Sequence, residues 1–385
     1  MQQEERDAWL CLALLPQVGA DTFARLLAHF GSARSAWRAG IGEAEICLPR
    51  SAAREAWRNR RAEAEAAAEA ALAWVRETEN ARLLLSCDPD FPLMLHEGIT
   101  PPPLLFVRGN VAMLHRPALA VVGSRHATPQ ALRIARDFSQ ALSAAGIVVV
   151  SGMASGIDTA AHQGALAGGG GTAAVWGTGI DRVYPAANRS LAHDIAASGV
   201  IVSEFPLGAR PLAGHFPRRN RIIAALAQAV LVVEAAVESG SLITARLAAE
   251  MGREVLAVPG SIDNPHSKGC HKLIKDGAKL TECLEDILIE CPGLLQTARS
   301  SAYAIKNNAP PDGGGAERPQ AVFQTAGSGG DGDGLLDAMG FDSVHPDSLA
   351  ERLNRPAADV YAGLLELELA GRVAAAGGGR YQRTG

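Results

Sequence analysis

Between about residue 117 and residue 290 the chain repeats one pattern: a short apolar run, a glycine or other small residue, then a helical stretch. The runs read ALAVVG (118–123), IVVVSG (147–152), TAAVWG (172–177), VIVSEF (200–205), AVLVVEA (229–235) and EVLAVPG (254–260). The helical segments between them include TPQALRIARDFSQALSAAG and SLITARLAAEMG. Strands that are apolar along their length are buried on both faces, and strands spaced by helices form a parallel sheet covered on each side. The pattern predicts an α/β fold, a doubly wound parallel sheet of the extended Rossmann type.

The flanks have other textures. From Asp7 to about Trp37 a helical pattern is interrupted by LPQVGADTFARLLAHFGS, where Pro16 and Gly19 break one helix and Asp21 or Thr22 is expected to cap the next. The free N–H groups of that turn suit either a phosphate or a packing and protein-contact role. Residues 51–79 read as one long Ala/Glu/Arg helix, solvated on one side. The stretches APPDGGGAERP and AGSGGDGDG are rich in Gly, Pro and Asp and read as linker. Beyond them come the helix DSLAERL, a turn at Asn354-Arg355-Pro356, the helix AADVYAGLLELELAG and two short strands around Gly377-Gly378-Gly379. That order is a winged helix-turn-helix.

Charge limits the partners. The 385 residues carry a formal net charge of −5, and residues 331–385 hold nine Asp/Glu against five Lys/Arg, a net of −4. The rest is nearly neutral, so any polyanion must be held by a local patch and not by a global field. The apolar runs are too short to span a bilayer. The opening MQQEERDAW lacks the basic start and apolar stretch of a secretion signal, so a cytoplasmic protein is expected. Six cysteines, none in a CxxC pair, are expected to be reduced thiols. The cluster His266, Cys270, His271 has no ordered ligand spacing, and no metal or other cofactor is expected.

Ligands of open α/β sheets bind beyond the carboxyl ends of the strands. The loops there form a set: Gly123-Ser124-Arg125 after the first run, SGMASGID with Gly152 and Gly156 after the second, then GTGIDRVYPAAN, SEFPLGARPLAGHFPRRNR and VESGS with Ser239, Gly240 and Ser241. Any one could be a structural turn. Together at one sheet edge they point to an anion-binding surface. The dinucleotide fingerprint, the P-loop and the G-x-S-x-G hydrolase elbow are all missing. Asp158 and His162, four apart, are read as a helix cap and a residue packed against the sheet. The fourth loop is the most basic: Arg210, Arg218, Arg219 and Arg221 with Asn220, no acid from Phe205 to Ile222, and Phe205, Phe216 and nearby Tyr184 as flat aromatic surface. Arginine beside aromatic rings suits single-stranded nucleic acid. At least one of Arg219 and Arg221 is expected instead to pair with Glu204, Glu234 or Glu238.

VVGSR, SGMASGIDTAAHQGAL, YPAANRSLAHDI, SEFPLG, FPRRNRIIAAL, VVEAAVESGSLITARLAAEMGREVLAVPG and GCHKLIKDGA, in this order, resemble the DprA/Smf family of DNA-processing proteins of bacterial natural transformation. DPDFPLMLHEGITPPPLLFVRGN resembles the segment that precedes the family's core. The resemblance implies an extended Rossmann core that binds single-stranded DNA, usually as a homodimer, protects it and helps load RecA onto it, without a catalytic reaction. It implies a nucleic-acid site of Gly123, Ser124, Arg125, Gly152, Gly156, Phe216, Arg218, Arg219, Asn220, Arg221, Ser239, Gly240 and Ser241. The stretch LIKDGAKLTECLEDI is, by resemblance, the candidate dimer edge. Where the family tends to have Asn, this chain has His271. The division implied is 1–80, a helical SAM-like or helix-hairpin-helix domain; 81–291, the DNA-binding core; 292–330, a linker; and 331–385, a winged helix. The recognition helix of that last unit exposes Asp359, Glu366 and Glu368 with no basic residue before Arg372, so it is read as a protein-contact element and not a major-groove reader. The alternative is a nucleotide-processing enzyme of the phosphoribohydrolase type, but VESGSLITA lacks that group's double glycine and trailing glutamate.

Overall fold

The computed structural model describes residues 2–294, 331–340, 343–376 and 379–384. Its centre is a nine-stranded sheet: β1 (Ala81–Leu85), β2 (Leu104–Gly109), β3 (Ala118–Val122), β4 (Val148–Ser151), β5 (Thr172–Trp176), β6 (Val200–Ser203), β7 (Ala229–Val232), β8 (Glu254–Ala257) and β9 (Lys279–Leu280). The spatial order is β1-β2-β6-β5-β4-β3-β7-β8-β9. From β6 across to β9 every pairing is parallel. All six strands expected from the apolar runs are present.

Three strands were not foreseen, β1, β2 and the two-residue β9, and the first two make the sheet mixed. β2 runs antiparallel to β6, with Phe106 opposite Ser203, and β1 runs antiparallel to β2. Arg6 covers the outer strand by donating to the Leu83 carbonyl and pairing with Asp88 at 2.8 Å. An open strand edge would otherwise invite pairing with another chain.

Both faces of the parallel strands are dry, as their sequence requires. Leu119 and Val121 of β3 join Val149, Leu231 and Leu256 under the helices Pro129–Ala144 and Ile157–Gly168. Their neighbours Ala120 and Val122 point the other way, toward Ile222, Ile223, Ala245 and Cys270 of the opposite helices. Two-residue alternation with both faces apolar is what a doubly covered sheet demands.

The N-terminal helices dock on the β1–β2 side, in one apolar cluster that runs from Trp9, Leu12 and Phe23 through Leu85 and Phe106 to Trp176 and Ile201. Trp9 Nε1 donates to the Pro103 carbonyl at 2.8 Å. Two local expectations fail here. The helix Ala20–Phe30 is capped by Gly19 with no side-chain bond, so neither Asp21 nor Thr22 caps it. The long helix over 51–79 is two, Ser51–Asn59 and Arg61–Glu77, broken at Arg60 with ψ at 18°. Arg61, the first residue of the second helix, lies 4.2 Å over the Trp37 ring and donates to the Ala39 and Trp37 carbonyls.

The C-terminal unit has three helices, Asp331–Met339, Pro346–Leu353 and Ala357–Leu369, and a hairpin of β10 (Val373–Ala376) and β11 (Arg380–Arg383). Its core is Leu335, Leu336, Met339, Leu349, Val360, Leu364, Leu367 and Val373. Its first helix begins at Asp331, inside the Gly/Asp-rich stretch AGSGGDGDG and at the expected start of the winged unit. The remaining linker expectation falls mostly on residues 295–330, which lie outside the described residues; 292–294 are helical.

Candidate nucleic-acid interface

The chain winds outward from β3 through β4, β5 and β6, then returns to the other side of β3 to form β7. The loops that leave β3 and β7 diverge at this switch point and leave a crevice beyond the strand ends. Glu234, 3% exposed, ties the two loops together. Its carbonyl accepts the Ser124 N–H at 2.7 Å, and its carboxylate accepts the Thr128 N–H (3.1 Å), the Thr128 hydroxyl (2.8 Å) and Asn264 Nδ2 (3.4 Å). Of the acids considered as arginine partners, Glu234 is thus occupied elsewhere.

The crevice is a cleft of about 770 Å³ lined by Gly123, Ser124, Arg125, Phe216, Arg219, Asn220, Ser239, Gly240 and Ser241, together with Asp158, Tyr184 and His266. Gly152 lines a smaller recess beside it, shared with Arg125, Tyr184 and Phe216. Gly156 lies beneath the Arg125 loop. Its φ is +78°, and a Cβ there would collide with the Ser124 carbonyl and sit 2.7 Å from that of Arg125. Only glycine lets the two loops approach this closely.

Nine expected residues therefore meet in one cleft, a tenth adjoins it and Gly156 supports it. Other lining residues stood outside the expected set, among them Tyr184, Asp158, Glu238 and His266. Tyr184 had been signalled as aromatic surface. His266 had no signal, because the short helical turn Pro265–Ser267 brings it in from beyond β8.

The arginines of FPRRNR divide by direction, because this stretch is not loop but the first turns of the helix His215–Ala225. Arg218 and Arg221 turn to the same carboxylate: Arg218 Nε lies 3.1 Å from Glu204 Oε1, and Arg221 Nη2 lies 2.5 Å from Oε2. Arg221 also donates to the Thr100 carbonyl at 3.0 Å, so the expected arginine–glutamate pair falls on Arg221 and Glu204. About half of the Arg218 side chain stays exposed, stacked over Phe205. Arg219 goes inward, 4% exposed, and donates through Nη1 to the Gly152 and Val175 carbonyls and through Nε to Asn220 Oδ1.

Burial brings the Arg219 guanidinium down to about 10, Asp158 works against that fall, and Arg125 adds to it. Burial likewise pushes the Asp158 carboxyl up, with Arg219 the largest opposing influence. Asp158 is not the helix cap; it folds back to accept the Ala154 N–H at 3.2 Å, and Gly156 occupies the cap position. His162 is fully buried against the sheet, its Nδ1 2.8 Å from Thr172 Oγ1. That hydroxyl donates to the Val149 carbonyl, so the imidazole proton sits on Nδ1.

Arg125 is the contrast. It is exposed, makes no salt bridge among the described residues, and holds its guanidinium 5.1 Å over the Phe216 ring. Phe216 in turn tilts against Tyr184, with ring centroids 5.8 Å apart. Opposite them the helix Ser241–Glu250 points its N-terminus at the cleft, and the Ser239 and Ser241 hydroxyls bond each other at 2.7 Å. A cation without a salt bridge among the described residues, flat ring surface, the Ser239 and Ser241 hydroxyls and a helix N-terminus are the parts of an anion and base site. The His266, Cys270, His271 cluster does not converge. Cys270 is buried with its thiol pushed up to about 12 by burial, and His271 Nε2 meets the Gly260 carbonyl at 3.0 Å. No helix among the described residues is long and apolar enough to cross a membrane.

Comparison with known proteins agrees with this architecture. The family described as DNA recombination-mediator protein A matches residues 82–292, the DprA-like N-terminal HHH domain matches 3–73, and the DprA winged helix domain matches 319–379. Protein Smf of Synechocystis is 34% identical over the whole of both chains, and Protein Smf of Escherichia coli is 41% identical over 81% of this chain and 79% of its own. The X-ray structure of DNA processing protein A from Streptococcus pneumoniae superposes with a TM-score of 0.65 at 37% identity, covering 75% of this chain and 98% of that one. With its helical N-terminal unit, its switch-point cleft and its winged helix, the chain belongs to the DprA/Smf family of DNA-processing proteins.

Proposed function

We propose that the switch-point cleft holds single-stranded DNA, that the protein protects the strand and passes it to RecA, and that it catalyses no reaction of its own. Arg125 carries this reading: an exposed guanidinium at the mouth of the cleft, with no acidic partner among the described residues, set against an aromatic ring. Phosphates would meet Arg125, the Gly240 N–H and the Ser239 and Ser241 hydroxyls, and bases would lie on Phe216 and the half-exposed Tyr184. Arg219, Asn220, Gly152 and Gly156 would shape the wall, with Arg218 and Arg221 braced behind it by Glu204.

The expected division of labour is a helical unit over 1–80, a DNA-binding core over 81–291, a linker over 292–330 and a winged helix over 331–385. The chain would act in the cytoplasm as a homodimer built on the edge around β9. The winged helix would contact protein, since its recognition helix carries carboxylates where a DNA reader needs cations.

The test is an anisotropy titration of a labelled single-stranded oligonucleotide at several salt concentrations. Arg125→Ala is expected to weaken binding at least tenfold and to flatten the slope of log K on log salt by about 0.7, the value for one single-strand phosphate. Unchanged affinity and slope in a folded variant would remove the cleft as the DNA site.

A further inference from the structure

The helix Ala357–Leu369 buries Val360, Leu364 and Leu367 in the winged unit's core. About 100° round the helix lies a second apolar stripe at i, i+4 and i+8: Tyr361, Leu365 and Leu369, which are 43, 54 and 83% exposed. Nothing among the described residues covers it. Carboxylates run along both sides, Glu368 on one and Asp359 and Glu366 on the other, and no Lys or Arg occurs on the helix. Leu369 standing mostly in water is the notable observation, because a chain that needed only a folded winged unit could place a polar residue there at no cost to its core.

We propose that this stripe is a docking face for a basic amphipathic helix of a partner protein, one that presents apolar residues at i and i+4 flanked by lysine or arginine. The inference rests on the protein-contact reading of the winged helix and adds the face and the chemistry of its partner. Charge complementarity selects the occupant. A nucleic acid would bring phosphates against Asp359 and Glu366. A second copy of the same helix would bring carboxylates against carboxylates, in a unit whose net charge is already −4. A partner helix with cations on both flanks satisfies the two acidic rims and covers Leu365 and Leu369 together, the helix-in-groove mode of recognition.

The test uses the full-length protein and a synthetic amphipathic helix of leucine and lysine, with a leucine–glutamate helix of the same pattern as control. Calorimetry is expected to show one-to-one binding of the lysine peptide, no binding of the glutamate peptide, and at least a tenfold loss in Leu365→Ser/Leu369→Ser. Asp359→Asn/Glu366→Gln is expected to weaken binding severalfold and to remove most of its salt dependence. Both pairs are surface changes, so thermal unfolding should be unaltered, and Arg125→Ala should bind the peptide as wild type does. Equal binding by the serine variant, or equal binding of the two peptides, overturns the proposal. So does self-association of the wild type that the serine variant abolishes, since the face would then hold a second copy. Retention of a duplex oligonucleotide that the same variant loses overturns the protein-contact reading itself.

Discussion

Removal of Arg219 separates a residue that builds the cleft from one that touches its ligand. Arg219→Met keeps the length of the side chain and deletes the guanidinium. Burial brings Arg219 well below the usual arginine range, to about 10, which at 1.36 kcal/mol per pH unit makes the buried charge costly by about 3 kcal/mol. Against that stand its hydrogen bonds to the Gly152 and Val175 carbonyls and to Asn220 Oδ1, each about 1.5–3 kcal/mol for a charged donor. The substitution relieves the first quantity and forfeits the second. It also strands Asp158, a buried carboxylate whose largest favourable electrostatic influence is Arg219. The expected net loss is about 3–5 kcal/mol, as for other buried pairs broken from one side.

Urea unfolding measures that loss. Addition of Asp158→Asn to Arg219→Met is expected to recover more than about 1 kcal/mol, because the stranded charge goes with it. The pH dependence has a fixed sign. Asp158 is already pushed up by burial, and without Arg219 it rises further. A carboxyl with a raised folded pKa opposes folding only when ionised, so the cost of Arg219→Met should be greatest near pH 8 and shrink toward pH 5. At a temperature where the variant is folded, its affinity for a single-stranded oligonucleotide should stay within about threefold of wild type, about 0.7 kcal/mol. A variant of unaltered stability whose DNA affinity falls tenfold or more would refute this reasoning and make Arg219 a contact residue.

Two further outcomes follow from the same region. Gly156→Ala must place a Cβ on the Ser124 and Arg125 carbonyls at φ +78°, so it should cost clearly more than Gly169→Ala, which shares that φ with nothing within 4 Å and should cost about 1 kcal/mol by urea unfolding. Only Gly156→Ala should also weaken single-strand binding, because only it displaces the Arg125 loop. His162 is held down to about 3 by burial, below its unfolded value, so between those values the unfolded state takes up the proton first and stability falls as pH falls. His162→Gln should abolish about 2 kcal/mol of the stability difference between pH 7.5 and pH 5, and an unchanged difference would mean that the imidazole protonates in the folded protein.

The same residues show how much of this structure could be read beforehand. Six of the seven parallel strands were legible because a strand dry on both faces has to be apolar at nearly every position; the exposed two-residue β9 carries no such pattern. β1 and β2 were not legible either, although RLLL and LLFVRG are apolar enough. They sit among Asp88, Pro89 and Pro101-Pro102-Pro103, which read as loop, and they become strands only through pairing with residues as distant as Ser203. The break at Arg60 had no local signal either, since arginine is a good helix former. At the break Arg61 stacks on Trp37, a tertiary contact.

The cleft gives a sharper lesson. Which residue types would gather there was visible in the loops; which arginine would brace and which would stay free was not, because FPRRNR was taken as loop. Once the helix begins at His215, phase decides the matter: residues three apart share a face and successive residues lie about 100° apart. Arg218 and Arg221 must then point together, and Glu204 at the end of β6 is there to receive both. Arg219 must point elsewhere, and with Ile222 and Ile223 buried behind it the remaining direction is over the ends of β4 and β5, onto Gly152 and Val175. In the cluster that looked most like a phosphate clamp, Arg219 and Arg221 are thus engaged with protein carbonyls and a carboxylate. Of the two arginines that line the cleft among the described residues, the one that stays exposed without an ion pair is Arg125, a single residue on the first loop, which the sequence offered with less emphasis than its crowded neighbours.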